Sequence, residues 1–239
     1  MFCEYIESNL IDTIQKLTGT GQFDTIQDDD EMWHVRNDSY YIKLDHNDYS
    51  FDIRILDKDI YQKNSVDNLD EELYLKKSYE LIDSIGARRD EMKEKITYLM
   101  AFNRDNMDDV EYESFPVEKA FLFERLLGGI QVVGNFITIS FGMDGRLLAM
   151  VGRWVPVNYS GSQLYSNITE EQMVEKALQR LMYENVDPNE EHVITVGSYY
   201  NSVKKDSKWV LDLEGIVRAE KGNGTERPTG GAKGGEFDI

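Results

Sequence analysis

An α+β fold is predicted, with helices packed on antiparallel sheets in repeats of a helix followed by β-hairpins. Three observations predict it. Apolar residues switch repeatedly from helical spacing to a period of two, Gly-Gly and Asp-Gly pairs fall between adjacent strand-like runs, and no single strands alternate with helices as parallel βαβ units require.

The first helix spans 4–17, where Ile6, Leu10, Ile14 and Leu17 form one stripe. Thr18-Gly19-Thr20-Gly21 ends it with glycine C-cap chemistry. Asp28 to Glu31 reads as a solvated turn, and strands follow at 32–36, 40–44 and 49–56. In the last of these Phe51, Ile53 and Ile55 alternate with Asp52 and Arg54. A second helix, 69–85, is capped by Ser65 or Asn68 and ends at Gly86. A strand at 95–102 leads into an acidic stretch, Asp105 to Glu118, read as an exposed loop. Strands then occupy 117–127, 130–141 and 147–157. Gly129 follows Gly128 and Gly145 follows Asp144 at positions suited to two-residue type I′ turns, while Gly134 marks a bulge or a close backbone approach within its strand. These three glycines are read as structural. The third helix, 168–183, has Asn167 or Ser166 as its cap and Met173, Ala177, Leu178 and Leu181 as its stripe. Strands at 193–200 and 208–219 close the pattern, and GNGTERPTGGAKGG begins a flexible tail. The domain reading is 1–62, 63–160, 161–221 and the tail 222–239.

Composition excludes several function classes. The 239 residues carry 26 Lys plus Arg against 45 Asp plus Glu, a formal charge of −19. A phosphate-binding surface draws its affinity from Lys and Arg, so nucleic acid is not the expected partner. One cysteine cannot form an internal disulfide or a cysteine-based zinc cluster. No apolar run reaches the ~18 residues that a membrane helix needs. Met1-Phe2-Cys3-Glu4 has no basic and apolar leader pattern. It fits a cytosolic start, or a mature exported chain in which Cys3 is the remnant of a lipid-modified cysteine.

Phe121 to Val157 carries an aromatic-x-Arg-x-x-x-Gly-Ile-x-Val-x-Gly run, then Asp-Gly-Arg, then a strand ending in Trp-x-Pro. The residues are Phe123, Arg125, Gly129, Ile130, Val132, Gly134, Asp144, Gly145 and Pro156. This resembles PepSY-like modules, which include the propeptide domains of thermolysin- and fungalysin-type proteases. SNITEEQMVEKALQRL and KWVLDLEGIVRAE resemble the helix and closing hairpin of such a module, and the likeness covers about 66–221. It implies non-catalytic domains that inhibit or help fold a protease, or that stand free in exported or envelope-associated bacterial proteins. An extracytoplasmic location is favoured over a cytoplasmic one on that ground.

No HExxH motif is present, so no zinc protease is attached to the module. The three histidines, His34, His46 and His192, are too scattered for a ligand set, and Gly-x-Ser-x-Gly is missing. Asp45 to Asp48 and Asp105 to Asp109 lack the glycine and glutamate of a calcium loop and read as solvated acidic turns. No metal, cofactor or catalytic residue is expected. Trp33 and Trp154 are the candidate partner-binding residues, weighed against packing in the core. The functional expectation is a non-catalytic binding or regulatory protein, recognising a basic protein or a protease through a sheet face or edge. An acidic intracellular inhibitor of a cationic toxin and an enzyme with an unrecognised site are the alternatives.

Overall fold

A computed structural model describes residues 2–56, 70–102, 114–159, 171–172, 175, 192–206, 208–221 and 235–238. Among them the chain forms two compact units. The first contains 1–126 and 135–155, and the second contains 127–134 and 156–239.

The first unit opens with helix α1 (Phe2–Thr18) and continues with strands β1 (Asp24–Asp28), β2 (Met32–Arg36), β3 (Tyr40–Asp45) and β4 (Ser50–Ile55). Helix α2 (Glu71–Ser84) and a short 3-10 turn, Arg89–Glu91, precede β5 (Met92–Phe102), β6 (Ser114–Leu127), β7 (Ile130–Gly142) and β8 (Leu147–Arg153), of which the end of β6 and the start of β7, 127–134, belong to the second unit. The strands of this unit lie side by side in the order β1-β2-β3-β4-β8-β7-β6-β5. β8, the last in chain order, thus sits between β4 and β7, pairing antiparallel with both.

Alternation along the strands sends one set of side chains toward the helices. Leu10 and Ile14 of α1 and Leu81 and Ile82 of α2 are fully buried against Val35, Ile42, Ile53, Ile137, Ile139 and Met150 of the sheet. The stripe at Leu10 and Ile14 is the one that the sequence predicts. α2 is capped by Asp70, whose side chain accepts from the Leu73 amide at 3.2 Å, rather than by Ser65 or Asn68.

The second unit is a long antiparallel hairpin of β9 (His192–Lys205) and β10 (Lys208–Lys221), with β11 (Gly235–Asp238) paired antiparallel to β10. Val132 and Val133 pair in parallel with Tyr200 and Asn201 of β9. Val132, Tyr200 and Leu211 form its small core.

The predicted architecture needs correction. The chain is dominated by antiparallel sheet, and its strands do not form separate helix-plus-hairpin repeats. Strands that follow different helices merge instead, as the pairing of β4 with β8 shows. Local periodicity reports which residues are extended but not which distant strand lies alongside, so it does not by itself define a repeat. Of the third predicted helix, Glu171, Gln172 and Glu175 are helical; the rest lies outside the described residues, as do 222–234. β1 and β11 were not anticipated. No described helix is long and apolar enough to cross a membrane.

Candidate functional site

The sheet of the first unit has a second face, opposite α1 and α2. It is built from the alternate residues of five adjacent strands. Tyr41 comes from β3, Asp52 and Arg54 from β4, Ala149 and Val151 from β8, Thr138 and Ser140 from β7, and Glu118 from β6. Register brings them into rows: Tyr41 stands opposite Arg54, Arg54 opposite Ala149, and Ala149 opposite Ser140. The neighbouring row runs from Lys43 through Asp52 and Val151 to Thr138.

Two clefts lie along this surface and share Arg54 and Val151. One, of about 290 Å³, is lined by Lys43, Asp45, Ser50, Asp52 and Arg54. The other, of about 320 Å³, is lined by Glu118, Thr138, Ser140, Leu148 and Ala149. Small side chains on β8 make the floor between them, because Ala149 and Val151 leave room that a larger residue would fill.

The charges here are unequal in their commitments. Arg54 donates from Nε to Asp52 at 2.7 Å, and Tyr41 donates its hydroxyl to the other Asp52 oxygen at 3.0 Å. Burial and this carboxylate hold the Tyr41 phenol above its ordinary pKa. Glu118 is different. Its carboxyl is half-buried and is held above the usual carboxylate range by that burial, opposed by a hydrogen bond from Ser140 and by the charge of Arg54. A half-buried carboxyl in a cleft, with its pKa displaced by desolvation, is a recognised mark of a functional position.

The sequence places Glu118 both at the end of the acidic stretch 105–118 and in the strand that begins at Val117, and the structure decides for the strand. Glu118 lies on β6, and the loop residues 103–113 are outside the described set. The available signal was the apolar alternation that begins at Val117, which makes Glu118 the first outward-facing residue of a strand.

The predicted partner-binding tryptophans do not lie on this surface. Trp33 is 5% exposed and belongs to the helix-side core, and Trp154 is 9% exposed. The Arg125 guanidinium sits over the Trp154 ring, 4.8 Å from its centroid. Arg125, a motif residue, is itself buried. It donates to the Glu91 carboxylate at 2.7 Å and to the Val155 carbonyl at 2.8 Å, and Asn135 Oδ1 accepts from both Arg125 (3.4 Å) and the Val155 amide (3.1 Å). Ring and guanidinium therefore serve packing, and neither tryptophan presents a free face.

The three glycines all have positive φ: +86° at Gly129, +70° at Gly134 and +85° at Gly145. Gly128 and Gly129 both lie there, as a type I′ turn requires. The Asp144-Gly145 turn needs correction, since Asp144 is not left-handed. Gly145 donates to the Gly142 carbonyl at 2.8 Å and Gly142 donates to the Arg146 carbonyl at 2.9 Å. That is a three-residue loop in which a type I turn is followed by a left-handed glycine.

Gly145 also lines a groove of about 700 Å³ with Tyr40, Tyr74, Lys77 and Arg146. A Cβ built on it would lie 2.1 Å from the Tyr74 hydroxyl oxygen. Gly145→Ala should therefore cost about 1–3 kcal/mol through backbone strain and this clash. Adding Tyr74→Phe should recover part of the loss, because the clashing oxygen is gone. Thermal melts of the single and double variants check it, and no recovery would leave strain as the whole cause.

The remaining motifs take ordinary roles. Asp45 Oδ1 accepts from the Asn47 and Asp48 amides in a turn. His46 lies 3.5 Å from Glu7. Among the described residues no three His, Cys, Asp or Glu side chains converge as a metal site would need.

Neither a family model nor a curated protein matches this chain. A crystal structure of an uncharacterized protein from Eubacterium rectale ATCC 33656 resembles it over 97% of this chain and 77% of that one. The TM-score is 0.52 at 12% identity, a likeness that shows the fold alone.

Proposed function

We propose that this chain is a non-catalytic binding module of PepSY-like type, and that it recognises a polypeptide segment on the open sheet face of the first unit. The carrying observation is the trough of paired clefts across β3, β4, β8, β7 and β6, with a small-residue floor and polar walls. Such a surface accepts an extended chain, placing alternate side chains in successive clefts.

The sheet edges are less suited to this role. β1 is exposed along its whole length, carries Asp24 and Asp28 at its ends, and is interrupted by a bulge between Thr25 and Gln27. β5 presents the charged run Lys93-Glu94-Lys95. Charge and bulges of this kind blunt strand addition. The formal charge of −19 favours a basic partner and speeds its approach.

Selection of a random peptide library on the intact protein tests the reading. Peptides should be enriched whose binding is lost in Thr138→Arg, a change that fills the trough, while the melting temperature stays within about 2 °C of the parent. Peptides indifferent to Thr138→Arg, or turnover of a peptide or ester substrate that Thr138→Arg abolishes, would overturn it.

Glu118 gives a further expectation. A carboxyl whose pKa is raised by folding opposes folding when ionised. Its unfavourable contribution is absent below the unfolded pKa and grows as pH rises through the folded one. Glu118→Gln should therefore melt higher than the parent at neutral pH. The difference should vanish as the pH is lowered through the carboxylate range. A variant that melts lower at neutral pH would mean that the ionised carboxylate stabilises the sheet.

A further inference from the structure

We infer that the Glu118 cleft is a subsite for one basic side chain, an arginine or lysine of the bound segment. This rests on the binding reading above and names the chemistry of one of its contacts.

The argument begins with what each charge near the cleft already holds. Arg54 and Asp52 are joined to each other on β4, and Tyr41 completes the carboxylate of Asp52. That trio offers a ligand little net charge, although Arg54 also lines the Glu118 cleft and its charge reaches that carboxylate. Glu118 stands on the other side of Ala149. Its hydrogen-bond donor is the hydroxyl of Ser140, which is itself buried.

A carboxylate half-withdrawn from water, with one neutral donor and the charge of Arg54 acting on it, retains acceptor capacity. A guanidinium or ammonium entering the cleft would use that capacity and offset the desolvation that the carboxylate bears. The surroundings fit the stem of such a side chain. Leu148 and Ala149 give an apolar wall and floor for the methylenes, and Thr138 and Ser140 line the cleft beside the carboxylate. An acidic ligand group would meet the opposite situation, since Glu118 repels it and Arg54 is already engaged with Asp52.

The probe is an acetylated, amidated Gly-Ser-Arg-Val-Ser-Gly peptide, with its citrulline counterpart as the neutral control. Both are titrated by NMR into the isotopically labelled full chain and into Glu118→Gln. The expected result is shifts at Thr138, Ser140 and Ala149 with the arginine peptide, and binding at least about 10-fold weaker for the citrulline peptide. Glu118→Gln should abolish that preference, and Ser140→Ala should reduce it. Equal binding of the two peptides, a preference that persists in Glu118→Gln, or no binding at millimolar peptide would each overturn the subsite. Library peptides that need the trough but ignore Glu118→Gln would remove the subsite and leave the binding reading standing. Peptides indifferent to Thr138→Arg would remove both.

Discussion

Arg125→Met is expected to destabilise the first unit by about 3–5 kcal/mol, the largest effect of any single change considered. Arg125 and Glu91 are each 4% exposed. Removing the guanidinium takes a buried cation from a buried carboxylate and leaves the exposed Arg88 at 3.3 Å to offset its charge. It also strips a donor from the Val155 carbonyl and the cation from the face of Trp154. At about 2–4 °C per kcal/mol for a chain of this size, the melting temperature should fall by about 10 °C. The double variant Arg125→Met, Glu91→Gln should recover a substantial part, because the stranded charge is removed with its partner. A loss under about 1 kcal/mol would show that the network is not buried as described.

The second large effect falls on Gly152, which sequence reading did not single out. It lies on β8 between Phe51 of β4 and Ile137 of β7. A Cβ there would lie 2.2 Å from the Phe136 carbonyl oxygen and 3.0 Å from the Ile137 Cα. Both atoms are backbone in the middle of a sheet and cannot turn aside. Gly152→Ala should cost about 3 kcal/mol. Gly142 is the useful comparison, because the nearest atom to its Cβ is a carboxylate oxygen of Asp144 at 2.8 Å, on an exposed side chain that can shift by loosening its contacts with Arg146. Gly142→Ala should cost less than about 1 kcal/mol, and urea denaturation of the two variants side by side checks the contrast. Equal losses would mean that the sheet yields as readily as the turn.

Element positions were largely legible. Leu10 and Ile14, and Phe51 and Ile53, are buried where their spacing puts them. Each case is local, since side-chain periodicity needs only the geometry of its own segment. What was not legible is long-range. Nothing near Gly152 announces that the Phe136 backbone will press on it. Nothing near Arg125 announces Glu91, which comes from a different element. Asp70 was passed over as a cap for two polar residues just upstream, although its side chain reaches the Leu73 amide. Glu118 falls in both the acidic run and the strand that begins at Val117, and nothing local shows that its carboxyl is half-buried in a cleft.

The position of β8 bears on how the chain is made. Synthesis delivers β1 to β4 early and β8 only after β7, yet β8 is the strand that joins the two halves of this sheet. At the ~5–20 residues per second of translation, β4 waits on the order of ten seconds for its neighbour. During that interval the edge bearing Phe51 and Ile53 is open, with backbone groups ready to pair with any passing strand. The nascent chain is thus most exposed to aggregation, and most accessible to a chaperone, before residue 147 leaves the ribosome. A ribosome-stalled series should show protease resistance of the first unit arriving in one step, once β8 has cleared the exit tunnel.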